Sequence, residues 1–161
     1  MSAYRTAIVV LSDRAAAGTR PDECIPAAEE SLGAAFDVVE RIVLADDAAA
    51  LQAELIDLCD RKGVALVLTS GGTGLGPRDR TPQATAAVLD YEIPGIPEAM
   101  RAASARAVPT AMLSRAVAGV RGRTLVVNLP GSPKAVRETI AAVLPAVPHA
   151  LDLLAGGVLD G

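Results

Sequence analysis

The stretch that most constrains this chain is residues 64–85, VALVLTSGGTGLGPRDRTPQAT. Its first five residues are continuously apolar, the pattern of a strand buried on both faces, as in a parallel sheet covered by helices. Thr69 and Ser70 follow, then the glycine run Gly71, Gly72, Thr73, Gly74, Leu75, Gly76, and then the charged turn Pro77, Arg78, Asp79, Arg80. Thr81-Pro82 reads as a helix start, with the Thr81 hydroxyl as cap and Pro82 in the first turn. The unit is therefore strand, glycine loop, charged turn and helix. Ligands of open α/β sheets gather beyond the carboxyl ends of strands, and glycines let backbone N–H groups converge on an anion. Two familiar phosphate motifs do not fit. A Walker loop needs Lys and Ser/Thr where this chain has Pro77 and Arg78, and the dinucleotide fingerprint fails at Pro77. A tight turn explains the glycines alone, but not the hydroxyls, two Arg and one Asp beside them; these favour a phosphate site.

The rest of the chain reads as the same alternation. Strands are expected at 6–11, Phe36–Leu44 and Thr124–Leu129, and helices at 25–35, 48–61, 82–90, 98–107 and from Lys134 onward, the last kinked or split by Pro145 and Pro148. Residues 15–24 read as a loop and residues 93–97 as a break. Residues 110–113 and 116–120 read as short apolar pieces in a hairpin or edge pairing. Strands alternating with helices imply a mostly parallel sheet covered on both faces, and 161 residues suit a single domain, 1–161. Either Asp46 or Asp47 caps the helix after the second strand.

Composition narrows the chemistry. One Phe, two Tyr and no Trp leave the core to Val, Leu, Ile and Ala, and supply no stacking platform for single-stranded nucleic acid. A net charge of −4 argues against nucleic acid or an acidic membrane as partner. No apolar run reaches membrane-spanning length, and the N-terminus reads as a strand rather than a leader, so a cytoplasmic protein is expected. The two cysteines, Cys24 and Cys59, lack metal-ligand spacing, and the single histidine, His149, argues against a histidine triad or a multi-histidine metal site. Any catalysis must run on carboxylates, hydroxyls, Arg and backbone amides, with or without a hard metal ion.

The segment TSGGTGLGPRDRTPQAT resembles the glycine motif of the molybdopterin adenylyltransferase family (MogA/MoaB-like). LSDRAAAG at 11–18, PGIPEAMR at 94–101, LSRAVAG at 113–119 and NLPGSPKAV at 128–136 match in order, so the similarity spans about residues 5–155. The resemblance implies a three-layer α/β/α sandwich, a homotrimer, and Mg²⁺-dependent joining of molybdopterin to the adenylyl group of ATP, with the product passed to a molybdenum insertase of the MoeA type. It implies Asp46 and Asp79 as the catalytic, metal-holding acids. Gly71, Gly72, Thr73 and Gly74 are implied as the phosphate cradle. Ser12 and Asp13 line the pocket, and Glu98, Ser114 and Arg115 match further site positions, the last two near the pterin. Pro130, Gly131, Ser132 and Lys134 form a second loop over the ligand. Ser132 stands where many relatives carry Asn or Gln, and Arg78 and Arg80 add charge near the phosphates. A binding-only member of the same fold, or a tungsten-cofactor counterpart, shares these motifs. Such a reaction brings a phosphate dianion against a triphosphate, so positioning and charge stabilisation dominate, and no histidine base is required.

Overall fold

The computed structural model describes residues 2–157. Six strands form one sheet: β1 (Tyr4–Leu11), β2 (Phe36–Leu44), β3 (Leu66–Ser70), β4 (Tyr91–Glu92), β5 (Ala118–Arg121) and β6 (Thr124–Leu129). Their order is β2-β1-β3-β6-β5-β4. The first four in that order run parallel, while β5 pairs antiparallel with both β6 and β4. The helices are α1 (Asp13–Ala16), α2 (Cys24–Leu32), α3 (Ala48–Ile56), α4 (Thr81–Val88), α5 (Gly95–Ala105), α6 (Pro133–Val143) and α7 (Val147–Leu154).

The central strands are apolar on both sides because each side meets a helical layer. Ile8, Val10, Leu66, Leu68, Leu125 and Val127 pack with α2, α5, α6 and α7 through Ala28, Met100, Ile140 and Leu151. The alternate residues Ala7, Val9, Val67 and Val126 face α3 and α4, meeting Leu51, Leu55, Ala84 and Val88. This is the three-layer α/β/α sandwich, with period-two side-chain alternation dividing one sheet between two cores.

Several boundaries differ from the sequence reading, each for a physical reason. The third strand lies two residues later than its apolar run, because Thr69 and Ser70 continue the ladder opposite Asn128 and Leu129. Their buried hydroxyls are satisfied: Thr69 accepts from Asn128 Nδ2 at 2.9 Å and Ser70 donates to the Pro130 carbonyl at 2.7 Å. Asn128 also donates to Thr85 and accepts from the Val117 N–H. One buried amide thus joins β3, β6, α4 and the approach to β5. Ala15 and Ala16, read as loop, join Asp13 and Arg14 in the short helix α1 because Ser12 caps it, accepting from the Ala15 N–H at 3.2 Å.

Thr81 is not the cap of α4. It is the first helical residue, Arg80 occupies the cap position without a side-chain bond, and the Thr81 hydroxyl turns inward instead. The last turn of α3 widens into a π-turn over Asp57–Arg61, which keeps Leu58 fully buried. Residues 110–113 belong to the 3₁₀ turn Pro109–Leu113, whereas β5 supplies the edge pairing. Of the two readings of the C-terminal stretch, kinked or split, the split holds: it forms two helices, α6 and α7. Among the described residues no helix is long and apolar enough to cross a membrane.

Candidate active site

The chain leaves β1 for β2 on one side and returns to β3 on the other. The carboxyl ends of β1 and β3 therefore diverge at a switch point, where α/β sheets form crevices. A cavity of about 370 Å³ opens there, lined by Ser12 and Asp13 after β1, Asp46 after β2, Ser70, Gly71, Gly72 and Asp79 after β3, and Gly131 after β6. Four separate strand ends thus contribute to one polar pocket.

Two glycines are required by geometry. Gly71 has φ +102° and Gly72 has φ +69°, conformations that favour glycine. A Cβ at Gly71 would lie 2.4 Å from the Leu11 carbonyl oxygen, and one at Gly72 would lie 2.3 Å from Thr81 Oγ1. The loop therefore presses its backbone against β1 and against the start of α4. It is also held from behind. The Arg115 guanidinium donates to the carbonyls of Gly74 (2.8 Å) and Asp79 (2.7 Å), and the Arg115 N–H donates to the Thr73 carbonyl at 2.9 Å. Two edges of the Arg115 fork are thus engaged by backbone, so it shapes the loop.

The acids around the pocket have distinct surroundings. Asp47 is the helix cap, accepting from the Ala50 N–H at 3.1 Å, which frees Asp46 from that task. Asp46 Oδ2 accepts from the Asp13 N–H at 3.3 Å, while Oδ1 lies on the Gly72 side. Partial burial raises the Asp46 carboxyl above its ordinary value, against the hydrogen bond from the Asp13 backbone, which lowers it; the Asp13 and Asp79 charges add to the rise. Asp79 Oδ2 accepts from the Gly76 N–H at 2.9 Å, tying the charged turn closed. Asp13 is held low chiefly by its hydrogen bonds from Arg78, then by the bond from the Asp46 backbone. Arg78 reaches Asp13 from the charged turn, its Nε and Nη2 donating at 2.7 and 3.0 Å.

Among the described residues no three His, Cys, Asp or Glu side chains form a metal cage. Mg²⁺ takes one or two carboxylates and draws its other ligands from water and substrate phosphates. Asp46 Oδ1 and Asp79 Oδ1 accept no hydrogen bond among the described residues, and both residues line the same cavity. The donor chemistry fits a hard cation.

A second cavity, about 320 Å³, lies on the other side of the glycine loop. Thr73, Gly74, Ser114, Pro130, Ser132 and Lys134 line it, with Met100, Arg101 and Ser104 from α5. Most of the expected site residues are thus divided between two adjacent pockets, while Arg115 lines neither. Ser132 spends its oxygen capping α6, accepting from the Ala135 N–H at 3.2 Å. Glu98 lies exposed in the first turn of α5 and lines neither cavity; Arg80 is exposed. Several polar residues were missed from sequence, with Arg14, Arg20 and Glu23 on the first cavity among them. Asp22 lines the first cavity and caps α2, accepting from the Cys24 and Ile25 N–H groups. Thr81 and Ser104 have buried hydroxyls without partners among the described residues. A hydroxyl directly after the RDR turn was the available signal for Thr81; nothing local distinguished Ser104.

The family model described as "Probable molybdopterin binding domain" matches residues 7–149. The chain is 42% identical to the molybdopterin adenylyltransferase of Escherichia coli (strain K12), across 99% of this chain and 90% of that protein. It is 40% identical to the molybdopterin adenylyltransferase of Helicobacter pylori, across 99% and 93% respectively. The crystal structure of the molybdopterin biosynthesis enzyme MoaB from Thermus thermophilus superposes with a TM-score of 0.91 at 49% identity, covering 95% of this chain and 97% of that one. Family match, near-complete coverage and shared fold agree with the pocket at the switch point, and the chain belongs to the family of the probable molybdopterin binding domain.

Proposed function

We propose that this chain is a molybdopterin adenylyltransferase of molybdenum cofactor biosynthesis, using Mg²⁺ and ATP. The observation that carries the reading is the pairing of Asp46 and Asp79 on one polar cavity, each with one oxygen engaged by backbone N–H and one left over. Helix capping does not explain Asp46, since Asp47 performs it. A binding-only protein has no need of two uncommitted carboxylates beside a phosphate loop.

In this reading an ionised oxygen of the molybdopterin phosphate attacks the α-phosphorus of ATP. The new P–O bond forms as the bond to the β-phosphate oxygen breaks, and pyrophosphate leaves. Gly71 and Gly72 bring backbone close to the phosphates, because no side chain separates the loop from its ligand. Arg115 keeps the loop in place from behind, and Asp79 closes the turn through the Gly76 N–H. When bound, Mg²⁺ supplies charge neutralisation at the phosphate oxygens, with Asp46 and Asp79 as its protein ligands. Pocket polarity and fixed geometry then account for the catalysis, as expected where phosphoryl chemistry depends on positioning. A homotrimer and delivery to an insertase complete the proposal.

The test is direct. Purified protein is incubated with molybdopterin, Mg²⁺ and ATP labelled at the α-phosphate. Labelled adenylyl-molybdopterin plus pyrophosphate is expected. Molybdopterin binding without either product moves the chain to the binding-only class.

A further inference from the structure

The ion pair between Asp13, on the wall of the polar cavity, and Arg78 does more than add charge. Asp13 lies after β1 and Arg78 in the turn after β3, yet both converge on Asp46 after β2. The Asp46 N–H donates to Asp13 Oδ1 at 2.9 Å. The Asp13 N–H donates back to Asp46 Oδ2 at 3.3 Å. Arg78 Nη2 reaches past Asp13 to the Asp46 carbonyl at 3.1 Å. Asp46 is therefore gripped at its amide, its carbonyl and one carboxylate oxygen, and the remaining oxygen lies beside Gly72.

Asp46 sits in a short connector between β2 and the Asp47 cap, so nothing in its own secondary structure orients it. Two carboxylates this close repel, and the bidentate guanidinium is the compensating charge. The Arg78 and Asp13 side chains remain 63% and 44% exposed, so the pair contributes little to global stability. Its consequence is local.

We propose that Asp13 and Arg78 form a positioning pair that presents Asp46 to the metal-bearing phosphates, a role that rests on the reading of Asp46 as a metal ligand. Asp13 supplies the acceptor that fixes the Asp46 backbone. Arg78 supplies the countercharge and the third tether. Arg78 then acts through Asp46 rather than by gripping ATP itself.

The experiment compares Asp13→Ala, which removes the acceptor, Arg78→Met and the double variant with wild type. Two quantities are read: Mn²⁺ binding in the presence of ATP, by water-proton relaxation, and the steady-state constants for ATP. Each single change is expected to weaken Mn²⁺ binding and lower kcat by about 10–100-fold, the range for residues that orient metal ligands. KM for ATP should stay within about threefold, because uniform substrate binding is untouched. The double variant should be no worse than the poorer single, since the two residues act as one unit. Unchanged thermal unfolding separates this from a folding defect. An Arg78→Met variant that raises KM and keeps kcat overturns the proposal in favour of direct phosphate contact, as do single effects that multiply in the double. If wild type binds Mn²⁺ with ATP but makes no adenylyl-molybdopterin, the enzymatic reading fails while Mn²⁺ binding by the variants still decides the role of the pair. Wild type that binds no Mn²⁺ overturns it.

Discussion

The two cavities flanking the glycine loop are nearly equal in size, 370 and 320 Å³, but are built from different materials. The first collects the ends of four parallel strands, and its wall carries Asp13, Asp46 and Asp79. The second lies between α5, the 3₁₀ turn and α6, and Pro97, Met100, Val108 and Leu113 give it an apolar wall. Parallel strand ends deliver backbone amides and short polar side chains together; helix flanks deliver mostly the side chains left over from core packing. The contrast predicts that charge chemistry depends on the first pocket, with shape and apolar contact left to the second. One loop forms part of both, so a ligand with a phosphate and a ring system can lie across it.

The largest effect should follow from the acids of the first pocket. Asp46→Asn and Asp79→Asn are each expected to reduce adenylyl-molybdopterin formation by about 100-fold or more while far-ultraviolet circular dichroism stays native, the scale for removing one preorganised electrostatic contact. Ser104→Ala in the second pocket should leave kcat within a few-fold in the same assay; equal losses in both pockets would break the division of labour.

The next effect concerns the shared wall. Gly72→Ala places a methyl against the Thr81 hydroxyl at a backbone angle suited to glycine, and should destabilise the protein by about 1–3 kcal/mol in urea titration. Activity should fall with it, since the loop must shift. Ser104→Ala should do the reverse to stability. Deleting a buried hydroxyl that has no partner among the described residues removes a desolvation cost, so an unchanged or slightly higher unfolding midpoint is expected, by up to about 1 kcal/mol.

The smallest contrast separates two neighbouring carboxylates. The Asp46 carboxyl is raised mainly by burial, so its ionised form opposes folding at neutral pH. The stability linked to its raised value is present below the unfolded-chain pKa and is lost as pH rises through the folded one. Asp46→Asn should therefore unfold at a higher temperature than wild type near pH 7, and the gap should close below about pH 3.8, the ordinary value. Asp13 shifts the opposite way through Arg78, so Asp13→Asn should gain nothing at neutral pH. Unfolding curves against pH, recorded without divalent metal, check both signs.

Much of this was legible in the residues. Phe36–Leu44 and Thr124–Leu129 have the predicted strand bounds, since a β-branched run between turn residues admits little else. The failures cluster where polar groups are buried. Thr69 and Ser70 looked like the end of a strand because hydroxyls normally mark exposure, yet Asn128 and the Pro130 carbonyl satisfy them inside the sheet. Thr81 looked like a cap because Thr-Pro usually is one. Arg115 was expected near the pterin, and a local reading could not see the Gly74 and Asp79 carbonyls it also serves. The choice between Asp46 and Asp47 was open for the same reason: adjacent identical residues differ only in what faces them.

The sequence by itself determined the alternation of strands and helices, the apolar character of both sheet faces, and the glycine loop at the end of β3, because these follow from side-chain period and backbone freedom within a few residues. Only the tertiary structure decided which acids share a pocket. Asp13, Asp46 and Asp79 are separated along the chain, and the parallel packing of β2, β1 and β3 is what brings their strand ends to one crevice. Local preference sets each element, whereas the electrostatics of a site depend on charges that meet only after the sheet has assembled.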